Sequence, residues 1–220
     1  TVRCVVDFPS IFYFQVPMFS NLPPIVLASS SPRRAELLRQ LGLDFTVVAP
    51  RVDERTIGGD GTNDLAVQLA CAKADDVAMQ VAGQEPRKLI IAADTVVTHA
   101  GKRLDKPTKK DEAVALLRTL SGSSHSVATG ICLMLGKERK VLSALSRVTF
   151  AELTEGEIEY YIATQPPYDK AGGYGIQDWI GTARIAAIEG SYTNIVGLPT
   201  CQLYEALRSI ASGTDPDIRL

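Results

Sequence analysis

The segment Lys88 to Val97 constrains the fold most. It is a strongly apolar strand with one carboxylate inside it. Leu89-Ile90-Ile91-Ala92-Ala93 leads into Asp94, and Thr95-Val96-Val97 follows. Aspartate is disfavoured in strands and is almost never buried unless paired. A carboxylate near the end of a central strand, just before a turn, stands where open α/β sheets place ligand-binding residues. A hydrogen-bonded buried aspartate or a bulge would account for the same pattern, and burial without a partner would be costly.

The flanking sequence supplies the rest of an α/β domain. Ile25 to Ala28 is a short apolar strand, and a helix follows from about Pro32 to Leu41, with Gly42 as its stop. Phe45 to Ala49 reads as a second strand and Gly58 to Gly61 as a turn. A helix starting at Asn63 or Asp64 carries Leu65, Leu69 and Ala72 at helical spacing. Arg103 to Lys106 reads as a short strand, and Thr108 as the cap of a helix that buries Ala113, Leu116, Leu117 and Leu120. Ser126 to Leu135 and Val141 to Phe150 pair around the Gly136–Arg139 turn. Thr154 with Glu157 makes a capping box. A strand over Arg184 to Ile188, a helix bearing Leu203, Leu207 and Ile210, and a polar tail from Gly213 that should fray complete the chain. Helices and strands alternate early and strands pair in the middle. The expected fold is therefore α/β with a mixed twisted sheet and flanking helices.

Between the first strand and its helix lies Ser29-Ser30-Ser31-Pro32-Arg33-Arg34. Proline suits a first helical position, and Ser31 is placed to cap. Helix starts attract anions, whereas two arginines in the first turn oppose the helix dipole unless something negative sits between them. Read alone, the segment is equally a serine-capped helix with a solvated basic face. Lys73 falls on the Leu65/Leu69 stripe, so its ammonium either snorkels or meets an anion. Glu54 lies in a loop and Lys106 at a strand end before Pro107, and neither is informative by itself. Glu54 and Asp94 together could offer oxygens to a hard cation such as magnesium, alongside phosphates and water. The loop Asp169 to Gln177 has glycines at 172, 173 and 175, which lets backbone N–H groups approach a ligand, though a tight turn explains it as well.

A net charge of −2 over 220 residues, with no basic stripe, argues against nucleic acid as a partner. Cys4, Cys71, Cys132 and Cys201 are scattered without metal-ligand spacing and read as reduced residues of a cytoplasmic protein. Two histidines, His99 and His125, support neither a His-rich metal centre nor a Ser-His-Asp triad. No segment reads as membrane-spanning, because Asp7, Pro9 and Pro17 interrupt the apolar N-terminal stretch. Residues 1–22 are expected to be an extension, with residues 1–17 preceding a natural start near Met18, residues 23–212 the domain, and 213–220 a tail.

Taken in order, the motifs resemble the Maf family of nucleoside triphosphate pyrophosphatases. They are Ala28 to Arg34, Val52-Asp53-Glu54, Ala70 to Ala74, Ala93-Asp94-Thr95, Asp105-Lys106-Pro107, Asp169 to Gln177, and Gly190-Ser191-Tyr192 through Val196 to Pro199. The resemblance runs from about Ile25 to Leu207. It implies a two-lobed fold around a cleft, of the Maf and inosine-triphosphatase type, a homodimer, and metal-dependent cleavage between the α and β phosphates. It makes Asp94 the proton acceptor. Ser29, Arg33, Arg34, Lys73 and Lys106 become phosphate ligands, and Glu54 joins Asp94 as a ligand to Mg²⁺ or Mn²⁺. Arg33, Thr95 and Gln177 match the uridine/thymidine branch at the places where the 7-methylguanosine branch differs, so dTTP and UTP are the implied substrates. Removal of modified nucleotides and a link to cell-division arrest come with that reading. Two alternatives stand beside it: a nucleotide-binding regulator without turnover, and a 7-methylguanosine triphosphate pyrophosphatase.

Overall fold

The computed structural model describes residues 19–57, 63–84 and 86–220. The expected extension over residues 1–17 and the whole Gly58–Gly61 turn lie outside them. A seven-stranded mixed sheet runs in the order β2-β1-β3-β5-β6-β7, with β4 on β3. Its strands are β1 (Ile25–Ala28), β2 (Phe45–Val47), β3 (Leu89–His99), β4 (Lys102–Leu104), β5 (Ser124–Leu135), β6 (Glu138–Phe150) and β7 (Ile185–Glu189). β2, β1 and β3 are parallel, whereas β3, β5, β6 and β7 are successively antiparallel. The mixed α/β architecture is thus the one the alternation of elements implies.

The helices are α1 (Pro32–Gln40), α2 (Asn63–Gln80), α3 (Lys110–Leu120), α4 (Glu155–Thr164), α5 (Trp179–Arg184), α6 (Tyr192–Val196) and α7 (Thr200–Ala211). Among the helices of the described residues, α2 is the one that packs on the first face of the sheet. Its Ala70, Ala74 and Val77 pack on Val26, Ile90, Ala92, Cys132 and Met134, and Leu65, Ala66 and Leu69 pack on Val96 and Ala128. The other face carries the main core, where α1, α3, α4 and α7 meet Leu27, Leu89, Ile91, Ile131 and Leu133. Successive strand residues point to opposite faces, so even-numbered β3 positions look at α2 and odd-numbered ones at the larger core.

Gly130 sets how close α2 comes. A β-carbon there would lie 2.4 Å from the backbone nitrogen of Val67, far inside contact distance. Only glycine lets the helix backbone rest on β5 at this point. In the register Gly130 is the partner of Asp94, so the helix is closest to the sheet beside the candidate carboxylate.

Local details depart from the sequence reading at several points. Ser31 occupies the N-cap of α1 but makes no side-chain cap bond; Ser29 Oγ instead accepts from the Ser31 N–H at 3.2 Å. Thr108 stands outside α3, whose N-cap is Lys109, and the Glu112 carboxylate accepts from the Thr108 N–H at 2.7 Å. The tail does not fray within residues 213–218. Lys140 Nζ pairs with Asp215 and Asp217 at 3.0 Å each, and Ile218 is fully buried. At the other end, Phe19 and Leu22 pack on the core, so ordered structure begins before residue 23. The Thr154–Glu157 capping box is present as expected.

Candidate active site

One edge of β3 is only partly paired. β1 covers Leu89 to Ala92 and β4 covers Val97 to His99. β5 runs along the opposite edge from Leu89 to Thr98. Ala93 to Val96 are therefore left, among the described residues, without a strand on the β1 side. The gap opens onto a cavity of about 990 Å³ whose lining includes Asp94, Thr95, Arg33, Arg34, Lys106 and Gln177.

On the α2 side of the floor, three charges share one contact. Lys73 extends the buried Leu65/Leu69 stripe, and its side chain is as buried as that of Asp94. Its Nζ donates to Asp94 Oδ1 and pairs with Glu54 Oε1 at 2.6 Å. Glu54 reaches the site from a single tight turn over Glu54–Thr56. Burial would raise the Glu54 pKa, but the Lys73 hydrogen bond and charge outweigh it and hold the carboxyl below its ordinary value. The sequence reading puts Lys73 on phosphate; the structure puts its ammonium between the two acids.

Those acids fit a divalent cation in part. They carry one more negative charge than Lys73 neutralises, and each has a second oxygen beyond the one on Nζ. No group of three or more His, Cys, Asp or Glu side chains suited to a metal occurs among the described residues. The protein can thus offer two carboxylates, and the remaining ligands would be phosphate oxygens and water. That is the usual habit of Mg²⁺.

Arg34 lies on the other side of the floor, and its partners are neutral. Nε donates to the Gly197 carbonyl at 2.8 Å, Nη1 to Ser29 Oγ at 3.2 Å and Nη2 to Thr95 Oγ1 at 3.1 Å. Burial lowers the pKa of this guanidinium, while the charge of Asp94 acts in the opposite sense. Thr129 donates its hydroxyl proton to the Asn194 carbonyl at 2.9 Å. The 2.9 Å Thr95–Thr129 contact must then carry the Thr95 proton, which leaves the Thr95 oxygen as acceptor for Arg34. Thr95 thus acts on the cavity through Arg34.

The far wall is the glycine loop. Gly172 and Gly173 have φ of 77° and 73°, the region that favours glycine. The Gly172 N–H donates to the Asp105 carbonyl at 3.3 Å, joining the loop to the segment that presents Lys106. Tyr174 anchors the loop through a 2.7 Å contact between its hydroxyl and His125 Nε2. Burial pushes the His125 pKa down to about 4, so the ring is neutral near pH 7. Gln177 is exposed and faces the cavity. Arg33 spans the opening to Asp169 at 2.7 Å. Burial acts to raise the Asp169 pKa, but hydrogen bonds from Lys170 and Arg33 hold it near 2.

All the residues singled out in the sequence, namely Ser29, Arg33, Arg34, Glu54, Lys73, Asp94, Thr95, Lys106 and Gln177, line this cavity. Sequence reasoning missed Asp169 and Lys170 as individual contributors, although they directly precede the glycines. It also missed Gly197 and Thr129, which hold Arg34 directly and through Thr95; nothing local in the sequence marks Thr129.

The fold and the cavity together define an α/β protein with a deep charged cleft of small-molecule dimensions. The chain belongs to the Maf family: the family model for Maf-like protein matches residues 24–210. A dTTP/UTP pyrophosphatase of Bacteroides fragilis (strain ATCC 25285) is 43% identical over 199 residues, covering 88% of this chain and all of that protein. A second protein of that name, from Acetivibrio thermocellus, is 46% identical over 189 residues, 84% of this chain and 94% of its own. Among solved structures, a nucleoside-triphosphatase / dITP/XTP pyrophosphatase of Mycobacterium abscessus aligns over 59% of this chain and 75% of its own. Its TM-score of 0.33 and identity of 18% are too low to build on.

Proposed function

We propose that this protein is a nucleoside triphosphate pyrophosphatase that converts dTTP and UTP to the monophosphate and pyrophosphate. The observation that carries the reading is the floor of the cleft, where Asp94 and Glu54 share Lys73 beside the neutrally held Arg34. The names of the relatives support the substrate class.

In this mechanism Arg33, Arg34 and Lys106 hold the triphosphate by charge. Asp94 accepts a proton from the water that attacks the α-phosphorus. The bond from that phosphorus to the bridging oxygen breaks, and pyrophosphate leaves with the electron pair. Lys73 orients both carboxylates towards the cleft. Glu54 and Asp94 would hold a divalent cation, Mg²⁺ or Mn²⁺, which supplies charge stabilisation to the phosphate oxygens when bound. Donors aimed where charge develops in the transition state usually provide the largest share of such a rate enhancement. Gln177, which both donates and accepts hydrogen bonds, suits the neutral edge of a pyrimidine.

Pyrophosphate release from a panel of nucleoside triphosphates, with and without Mg²⁺ or Mn²⁺, tests the reading. Preferred turnover of dTTP and UTP is the expected result. Tight dTTP binding without pyrophosphate would favour a regulator, and preference for 7-methylguanosine triphosphate would place the chain in the other branch. Ring-modified pyrimidines belong in the panel, because removal of such nucleotides is part of the proposal. A link to division arrest predicts that overproducing the wild type, but not Asp94→Asn, blocks cell division. We further propose a cytoplasmic homodimer, to be checked by fractionation and sedimentation. No helix among the described residues is long and apolar enough to cross a membrane.

A further inference from the structure

Cys71 of α2 and Cys132 of β5, 61 positions apart in the sequence, meet in one packed cluster between the helix and the sheet. Cys71 is partly exposed and packs on the cluster that contains the fully buried Cys132. The close approach at Gly130 makes the meeting possible. From the point where the Val67 nitrogen overlies Gly130, one helical turn leads to Cys71 and two strand residues lead to Cys132, on the same sheet face. These advances are matched, about 6 Å along the helix and about 6.6 Å along the strand. Arg139 lies alongside, paired with Asp75 of α2, and its positive charge acts on Cys71.

We propose that Cys71 and Cys132 are an oxidisable thiol pair that peroxide converts to a disulfide stapling α2 to β5. The Cys71 thiolate attacks one peroxide oxygen, and the O–O bond breaks to give a sulfenic acid and hydroxide. Hydroxide takes the proton that Cys71 gave up and becomes water. The Cys132 sulfur then attacks the sulfenic sulfur; the S–S bond forms, the S–O bond breaks, and hydroxide leaves with the Cys132 proton as a second water. Both thiols are oxidised by one electron each, and the peroxide is reduced by two.

The electrostatics favour Cys71 as the attacking group. Its pKa is lowered by the hydrogen bond from Cys132 and by the charge of Arg139, against the burial that would raise it. A thiolate is the reactive form, and low-pKa accessible cysteines beside a resolving cysteine are the usual redox sensors.

The consequence for the cleft follows from position. Cys71 precedes Lys73 by two residues, and Gly130, the partner of Asp94, precedes Cys132 by two. A disulfide requires sulfurs about 2 Å apart, closer than packed but unbonded thiols stand. Closing that gap shifts α2 against β5 two residues from Lys73, and so disturbs the contact of Lys73 with Asp94 on the neighbouring β3. Displacements near 1 Å in such sites reduce turnover by up to about 10²-fold.

The test treats the full chain with hydrogen peroxide and maps a non-reducing digest by mass spectrometry. The expected product is a peptide linking Cys71 to Cys132 that dithiothreitol separates, and that is absent from Cys71→Ser and Cys132→Ala. Peroxide-treated wild type with no such link overturns the proposal, whether the thiols stay reduced or Cys71 proceeds to sulfinic acid. Circular dichroism confirms that each variant is folded. The effect on the cleft rests on the proposed activity, so dTTP turnover is measured in parallel. A fall of roughly tenfold or more that dithiothreitol reverses, and that Cys71→Ser escapes, is expected; a linked protein with unchanged turnover overturns the coupling. If the reduced protein turns over nothing, the functional reading fails while the mass map still decides the thiol pair.

Discussion

Lys73 and Arg34 are two cations on the floor of one cleft, approached from opposite faces of the sheet. Lys73 comes from α2 and is saturated by Asp94 and Glu54. Arg34 comes from α1 and is held by a carbonyl and two hydroxyls. A buried cation with ionised partners has spent its charge locally. One with neutral partners has been fixed in geometry but keeps its full charge for an incoming anion. In the proposed mechanism, electrostatic preorganisation thus falls to Arg34, and Lys73 maintains the acids.

That contrast can be broken most sharply at Asp94. Asp94→Asn should reduce dTTP turnover by at least about 10²-fold, the scale of a lost general base, while fluorescence titration still shows nucleotide binding. Near-normal turnover would remove Asp94 from its role. Next in size is Lys73→Met, which leaves the buried Asp94 and the half-buried Glu54 without their partner. Denaturant titration should register a loss of about 3–5 kcal/mol, the usual result of breaking a buried ion pair. An unchanged midpoint would mean that the acids do not depend on Lys73.

Arg34→Ala should instead weaken substrate capture. Hydrogen bonds to charged groups contribute about 1.5–3 kcal/mol, so kcat/KM should drop roughly 10- to 100-fold with little change in melting temperature. Equal instability in the two cation variants would collapse the distinction between them. Gly130→Ala tests the packing beneath Lys73. Its new β-carbon meets the Val67 backbone at 2.4 Å, and overpacking of this kind costs about 1–3 kcal/mol. Thermal melts would show it.

The smallest effect belongs to the Arg33–Asp169 clasp. The folded pKa of Asp169 lies near 2, below the ordinary aspartate value. The clasp therefore stabilises the fold above about pH 4 and its contribution is lost as pH falls through 2. Asp169 is more than half exposed, so solvent screening keeps the contribution under about 1 kcal/mol. Wild type and Asp169→Asn should differ slightly in stability at pH 6 and converge near pH 2. A gap that widens on acidification would reverse the sign.

Much of this cleft was readable from local pattern. Asp94 was conspicuous because a carboxylate in an apolar strand needs a partner, and Lys73 because an ammonium on an apolar stripe needs one too. Each anomaly turned out to be the answer to the other. The direction of Lys73 was not readable, since its choice between phosphate and carboxylate depends on how near α2 lies to β3. The helices α5 and α6 escaped notice because six and five residues carry too little periodicity. The 190–199 segment was visible as a motif, but its contacts on Arg34 through Gly197 and on Thr129 through Asn194 join residues more than 60 positions apart.

By itself the sequence determined the longer elements, because apolar period, caps and glycine stops act over a few residues. It also marked the side chains that burial alone could not explain. The tertiary structure decided their pairings. A single residue without a β-carbon, Gly130, allowed α2 to settle on β5, and that one close approach set Lys73 against Asp94 and Cys71 against Cys132. Sequence spacing does not record such contacts, because they depend on the distance between elements that the chain brings together only on folding.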